Sequence, residues 1–202
     1  MSNLSSVKSI VVLMMENRSL DNFLGWIYAP DNVSPNGDLF NGLTTDLWNA
    51  PSPSSTDKVY AGTTTNHKNP VVDPGETYPH VNVQLFQQNP PPSPLPSTQC
   101  MGFLQDYTAV LAEGSTGVDP DVIMLGFDPS VVSCSKAIAE QFAVCDQWFC
   151  SVPSQTWPNR SFVHAGTSNG NIVNWPYNPD LWNVPTIFNV MSRRSGSTWR
   201  VY

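Results

Sequence analysis

The sequence predicts an α/β fold, on three observations. Ile10 to Met15 is a continuous apolar run, the pattern of a central parallel strand covered on both faces. A helical spacing follows at once, with Leu20, Phe23, Leu24 and Ile27 at i, i+3, i+4 and i+7. Strand-like and helix-like stretches then alternate through the second half of the chain.

The elements follow in order. Ser9 to Met15 reads as the first strand and Ser19 as the N-cap of the first helix. That leaves Glu16-Asn17-Arg18 in the turn between them. In open α/β sheets ligands bind at the carboxyl ends of strands. Residues from about 30 to 97 are rich in Pro, Asn, Ser, Thr and Gly, and read as a long insertion of loops. Pro90 to Pro96 looks polyproline-like. Met101 to Leu111 reads as helical. Asp128-Pro129 opens a further helix, with Pro at its first position. Ala143 to Asp146 reads as a strand. Helices are expected from near Thr156 and from about Pro185 to Arg194, the latter stopped by Gly196. Thr198 to Tyr202 completes the pattern as a strand.

Composition narrows the function. The chain has 202 residues, a net charge of −7 and 12 % charged residues. No run of basic residues occurs, so no nucleic-acid partner is expected. The apolar run near the N-terminus is too short to cross a bilayer and lacks a signal-peptide cleavage pattern. The compartment stays open, with the cytoplasm favoured over export. Cys145 and Cys150 are expected to be buried free thiols rather than a disulfide pair.

Three clusters could carry chemistry. Glu16-Asn17-Arg18-Ser19-Leu20-Asp21 offers a carboxylate and an amide oxygen at a strand end, donors that suit a hard divalent cation. The plainer reading is a helix-capping cluster. Ser151 to Arg160 places the Thr156 hydroxyl at a helix start ahead of Pro158, where backbone N–H groups and the helix dipole favour phosphate. A nearby metal would make Thr156 a nucleophile. The plainer reading makes Thr156 an N-cap. Asp73 to His80 adds His80, which could donate to a phosphate oxygen or protonate a leaving group. His164, on the Thr156 helix, could face the site or pack in the core. No Gly-x-Ser-x-Gly elbow, phosphate-binding Gly-Lys loop, dinucleotide fingerprint or His-Glu-x-x-His motif is present.

Taken together, these stretches resemble the phosphoesterase family of bacterial phospholipases C, plant non-specific phospholipases C and certain acid phosphatases. Val11 to Gly25 is similar to its opening signature. Phe103 to Tyr107, Ile123-Met124 and Phe142 to Phe149 follow as landmarks in the same order. Pro153 to Arg160 and Val163 to Ser168 resemble its nucleophile region. The resemblance implies an alkaline-phosphatase and sulfatase-like α/β sandwich, with a mostly parallel central sheet flanked by helices. It implies that Glu16 and Asn17 bind a divalent metal ion. Thr156 would form a phosphothreonine, and His80 would contact the phosphate. Asn159, Arg160 and His164 would bind substrate. That substrate would be a phospholipid or a small phosphoester, with peripheral membrane contact. Here Glu76 directly follows Gly75, and His80 comes later than the family's usual histidine. The family's later pair of aspartates is absent, so residues 1–202 read as the N-terminal part of a single catalytic domain whose C-terminal part is missing. A catalytically inactive fragment and a non-catalytic lipid-binding module are the alternatives.

Overall fold

The computed structural model describes residues 6–114, 117–175 and 179–202. It is a mixed α/β arrangement of short helices and two small sheets. β1 (Trp48–Asn49) pairs antiparallel with β2 (Val59–Tyr60). β3 (Gly62–Thr64) pairs parallel with β4 (Leu125–Phe127), the only parallel pairing among the described residues. The segment expected to be loops therefore holds three strands. It also holds a helix, α2 (Tyr78–Phe86). Strands of two or three residues are too short to show a hydrophobic period, which is why the sequence hides them.

The apolar run at the N-terminus departs from expectation. Ile10, Val11, Val12, Leu13 and Met15 are 73–90 % exposed and belong to no strand. A strand that is apolar on both faces needs neighbours on both edges and cover above and below. β1 to β4 pair elsewhere and leave the run without either. The accessible surface is 14062 Å². A compact folded chain of this mass would expose roughly 9,400 Å².

α1 (Leu20–Leu24) begins as the sequence predicts, with the Ser19 hydroxyl accepting the Asn22 N–H at 3.1 Å. The Asn22 side chain then donates to the Leu125 carbonyl at 3.1 Å, which ties α1 to β4. Gly126 permits this approach. A Cβ there would lie 2.8 Å from the Trp26 ring and 3.0 Å from the Asp21 carbonyl. Nearby, Ile27, Phe40 and Ala139 form a buried cluster, with Leu24, Tyr28 and Val144 packed against it.

α3 (Phe103–Ala112) carries the most deeply buried side chains, Leu104 and Tyr107. The Tyr107 hydroxyl donates to the Val72 carbonyl at 2.9 Å. Buried Asn49 of β1 accepts the Leu104 N–H and donates to the Cys100 carbonyl. These bonds fasten the sheet of β1 and β2 to the start of α3.

Further expectations are corrected downstream. α4 (Ser133–Gln141) starts later than Asp128-Pro129. The Asp128 side chain is spent on its own turn, accepting the Ser130 N–H at 2.9 Å and the Ser130 hydroxyl at 2.6 Å. Residues 143–146 form no strand. Val144 packs on the cluster instead, and Asp146 accepts the Asn41 N–H at 2.7 Å. α5 (Thr156–Ala165) ends at Gly166, whose φ of 71° suits glycine. α6 (Pro179–Trp182) and α7 (Ile187–Arg193) follow, the latter with Gly196 at φ 81° in the turn beyond it. Residues 198–202 are not a strand, because Trp199 folds back. Its indole donates to Ser192 at 2.9 Å, and its ring lies 4.7 Å from that of Phe188. All four cysteines are free and exposed, so Cys145 and Cys150 are unpaired as expected but not buried.

Candidate functional site

A cavity of about 340 Å³ forms where several of these elements meet. Asn17 and Ser19 line it from the approach to α1, and Asn22 from α1 itself. Asp73, Gly75 and Glu76 come from the loop before α2, and Gln84 from α2 itself. Phe103, Ile123 and Thr156 close the remaining side. Asn17 and Thr156, 139 positions apart in the sequence, therefore border one space.

Local geometry explains how each arrives. Asn17 adopts a left-handed turn with φ of 72°, a conformation asparagine tolerates better than most residues. The capping role beside it belongs to Ser19, so neither Glu16 nor Asn17 is spent on capping α1. Thr156 is the first residue of α5, and the N-cap position belongs to Gln155, which makes no side-chain cap bond. The Gln155 side chain instead donates to Glu76 at 3.3 Å and accepts the Asn174 N–H at 3.1 Å. So Thr156 is not the N-cap. The Trp157 N–H is taken by the Asn174 side chain at 2.8 Å, and Pro158 has no N–H. Within the first three residues, the anion-binding capacity of this helix start rests on the Thr156 N–H.

Glu16 and Arg160 lie against each other. The Arg160 guanidinium donates Nη2–H to Oε1 at 2.7 Å and Nε–H to Oε2 at 3.4 Å, with both side chains about two-fifths exposed. This forked pair ties the approach to α1 to the second turn of α5.

Neither Glu16 nor Arg160 is among the residues lining the cavity, and the remaining residues named from sequence lie off it as well. The Asn159 Oδ1 accepts the Val152 N–H, and its amide group faces the carbonyls of Val152, Ser154 and Gln155, all at 3.0 Å. The side chain is thus turned onto the loop that leads into Thr156. The His164 ring packs on Phe188, centroids 5.3 Å apart, and joins α5 to α7. It packs between helices and does not line the cavity. His80, on α2, does not line the cavity. Its Nδ1 lies 2.8 Å from Oδ1 of Asp106, which is buried on α3. Gln84 donates to the other Asp106 oxygen at 2.7 Å and to the Gly75 carbonyl at 2.7 Å.

The sequence model of the Phosphoesterase family matches residues 7–202. This chain belongs to the phosphoesterase family. Non-specific phospholipase C3 of Arabidopsis thaliana is 36 % identical over 208 residues, covering 100 % of this chain and 37 % of the relative. Non-specific phospholipase C6 of the same plant is 36 % identical over 166 residues, covering 82 % of this chain and 29 % of its own length. Non-specific phospholipase C5 is 34 % identical over 178 residues, with shares of 83 % and 31 %. The chain thus spans about a third of the length of these relatives.

For a phosphoesterase, the cation-binding capacity of these residues matters. Glu16 and Asn17 present oxygen donors, which fit a hard divalent ion in kind. In number they supply two, and Glu16 would have to leave Arg160 to serve. No group of three or more His, Cys, Asp or Glu side chains able to hold a metal occurs among the described residues. Asp106, Gln84 and Gln155 are the site neighbours that sequence reasoning missed. One signal was present: His80 and Gln84 stand four residues apart, which puts them on one face of a helix.

Proposed function

We propose that this chain is the N-terminal part of the catalytic domain of a metal-dependent phosphoester hydrolase that works through Thr156. The observation that carries the reading is the shared cavity. It collects Thr156 at the start of α5 and Asn17 beside Glu16, with the Glu16–Arg160 pair holding the two segments together. The names of the relatives, non-specific phospholipases C, support a phospholipid or a small phosphoester as substrate.

The chemistry is a double displacement. The Thr156 oxygen attacks phosphorus, its proton passes to a base, and the bond from phosphorus to the leaving alcohol breaks as that oxygen gains a proton. For a phospholipid the alcohol would be diacylglycerol. Water then attacks the phosphothreonine, the bond from Thr156 oxygen to phosphorus breaks, and the threonine hydroxyl is restored. His80 would carry protons between these steps, and Arg160 would hold a phosphate oxygen. Glu16 and Asn17 would hold a divalent ion, which would supply positive charge to a developing alkoxide. Exposed aromatics such as Trp148, Phe149 and Trp175 suit contact with a lipid surface.

The test uses the complete catalytic domain that contains this chain, with a chromogenic phosphomonoester and a phosphocholine ester, across several divalent ions and with and without chelator. The expected result is turnover that the chelator removes and that Thr156→Ala lowers by at least about a thousandfold with the fold intact. Phosphate release that persists in Thr156→Ala, or turnover of neither ester, overturns the proposal.

A further inference from the structure

Behind the cavity wall, His80, Asp106 and Gln84 form a closed hydrogen-bonded set that the reaction scheme above does not explain. Asp106 is 3 % exposed; its Oδ1 lies 2.8 Å from His80 Nδ1, and its Oδ2 accepts from Gln84 Nε2. A carboxylate can only accept, so the hydrogen between it and the imidazole sits on Nδ1. The Gln84 orientation is equally constrained. Its Nε2 faces two groups that only accept, Gly75 O and Asp106 Oδ2, and these take both of its hydrogens. The ring has little freedom to slip out, because it packs on the backbone of Gly75. A Cβ at that glycine would sit 2.2 Å from His80 Nδ1. Gly75 and Gln84 themselves line the cavity.

We infer that Asp106, oriented by Gln84, is a positioning residue that locks His80 in the tautomer bearing hydrogen on Nδ1. The neutral ring then carries its lone pair on Nε2. In that state Nε2 can accept a proton but has none to donate. The use of that proton rests on the hydrolase reading above; the tautomer lock does not.

The set makes a specific demand on Asp106→Asn. The new amide must turn its oxygen toward the Gln84 donor, because donor against donor is repulsive. Its Nδ2–H₂ then faces His80 Nδ1, which has to become an acceptor, and the hydrogen moves to Nε2. Exchanging a tautomer-fixing aspartate for asparagine is known to install the wrong tautomer in a serine-protease triad. Adding Gln84→Leu removes the demand, so the introduced amide can turn its oxygen back to the ring.

Long-range proton–nitrogen NMR of the labelled 202-residue chain reads this directly at pH about 9, above the usual imidazole range. In the wild type, His80 Nδ1 should appear protonated and Nε2 unprotonated. Asp106→Asn should reverse the assignment, and Asp106→Asn with Gln84→Leu should restore it. A wild-type ring with hydrogen on Nε2 overturns the inference, and that measurement needs no variant to fold. An unreversed tautomer in a folded Asp106→Asn chain overturns it equally. Ester turnover is scored separately, on the complete catalytic domain that contains this chain. Absent turnover with the wild-type lock intact removes the hydrolase reading and supports the lock, whereas the wrong wild-type tautomer with turnover present removes the lock alone.

Discussion

Asn159→Ala should cost the chain far more stability than its half-buried position suggests. The Oδ1 atom satisfies the N–H of buried Val152, and the two amide hydrogens serve three carbonyls between residues 152 and 155. That is three full hydrogen bonds at most. At about 1 kcal/mol net each, the loss comes to about 3 kcal/mol. For a chain of this length it would lower the melting temperature by roughly 6–12 °C. Asn159→Asp keeps the acceptor for Val152 but turns a carboxylate onto three carbonyl oxygens, so it should be no better than alanine. Urea denaturation of the three proteins measures the differences. A loss below about 1 kcal/mol would refute the reasoning, since ordinary surface changes fall within about half that. A residue that merely touched substrate would show the opposite pattern, with stability kept and substrate affinity reduced. The loop that Asn159 braces runs directly into Thr156, so catalytic loss in the variant would be a consequence of lost order.

Two other predictions come from single contacts. Tyr107→Phe removes the bond to the Val72 carbonyl inside the core and should cost about 1–2 kcal/mol in a urea melt, with no change in secondary structure by circular dichroism. The Asp128 carboxyl is held below its ordinary 3.8, chiefly by the Ser130 hydroxyl and then by the Ser130 N–H. Its folded value is depressed, so the stability it contributes is present above pH 3.8 and is lost as pH falls through the lower folded value. Ser130→Ala should raise the Asp128 value toward 3.8 and flatten the stability curve on the acid side, as carbon-detected NMR titration and acid unfolding would register.

What the sequence revealed, and what it concealed, follows from the range of the interactions. α1 and α5 were legible because their signals are local. Ser19 caps within three residues, and Gly166 ends a helix through its own backbone angle. The parallel pairing of β3 with β4 joins residues some sixty positions apart through strands of three residues, and no local pattern encodes it. The run from Ile10 to Met15 failed for a related reason. Its composition says that it can be buried on both sides, but only neighbouring strands decide whether it is. Asp106 was invisible in another way. Read locally, a carboxylate within the apolar helix α3 is one more solvated residue. Its role appears only when α2 brings His80 and Gln84 against it.

The Glu16–Arg160 pair bears on whether Glu16 could serve a cation. Both side chains are substantially exposed, and ion pairs in such positions are worth about 0–1 kcal/mol. Exchanging Arg160 for a metal would therefore forfeit little, whereas a dehydrated divalent ion gains far more from a carboxylate than a guanidinium does in water. The exchange would also release Arg160, whose planar fork matches a phosphate as well as it matches a carboxylate. The pair is thus compatible with both roles proposed for its members. While it lasts, it holds the turn that carries Asn17 near the start of α5, and it does so at little energetic cost.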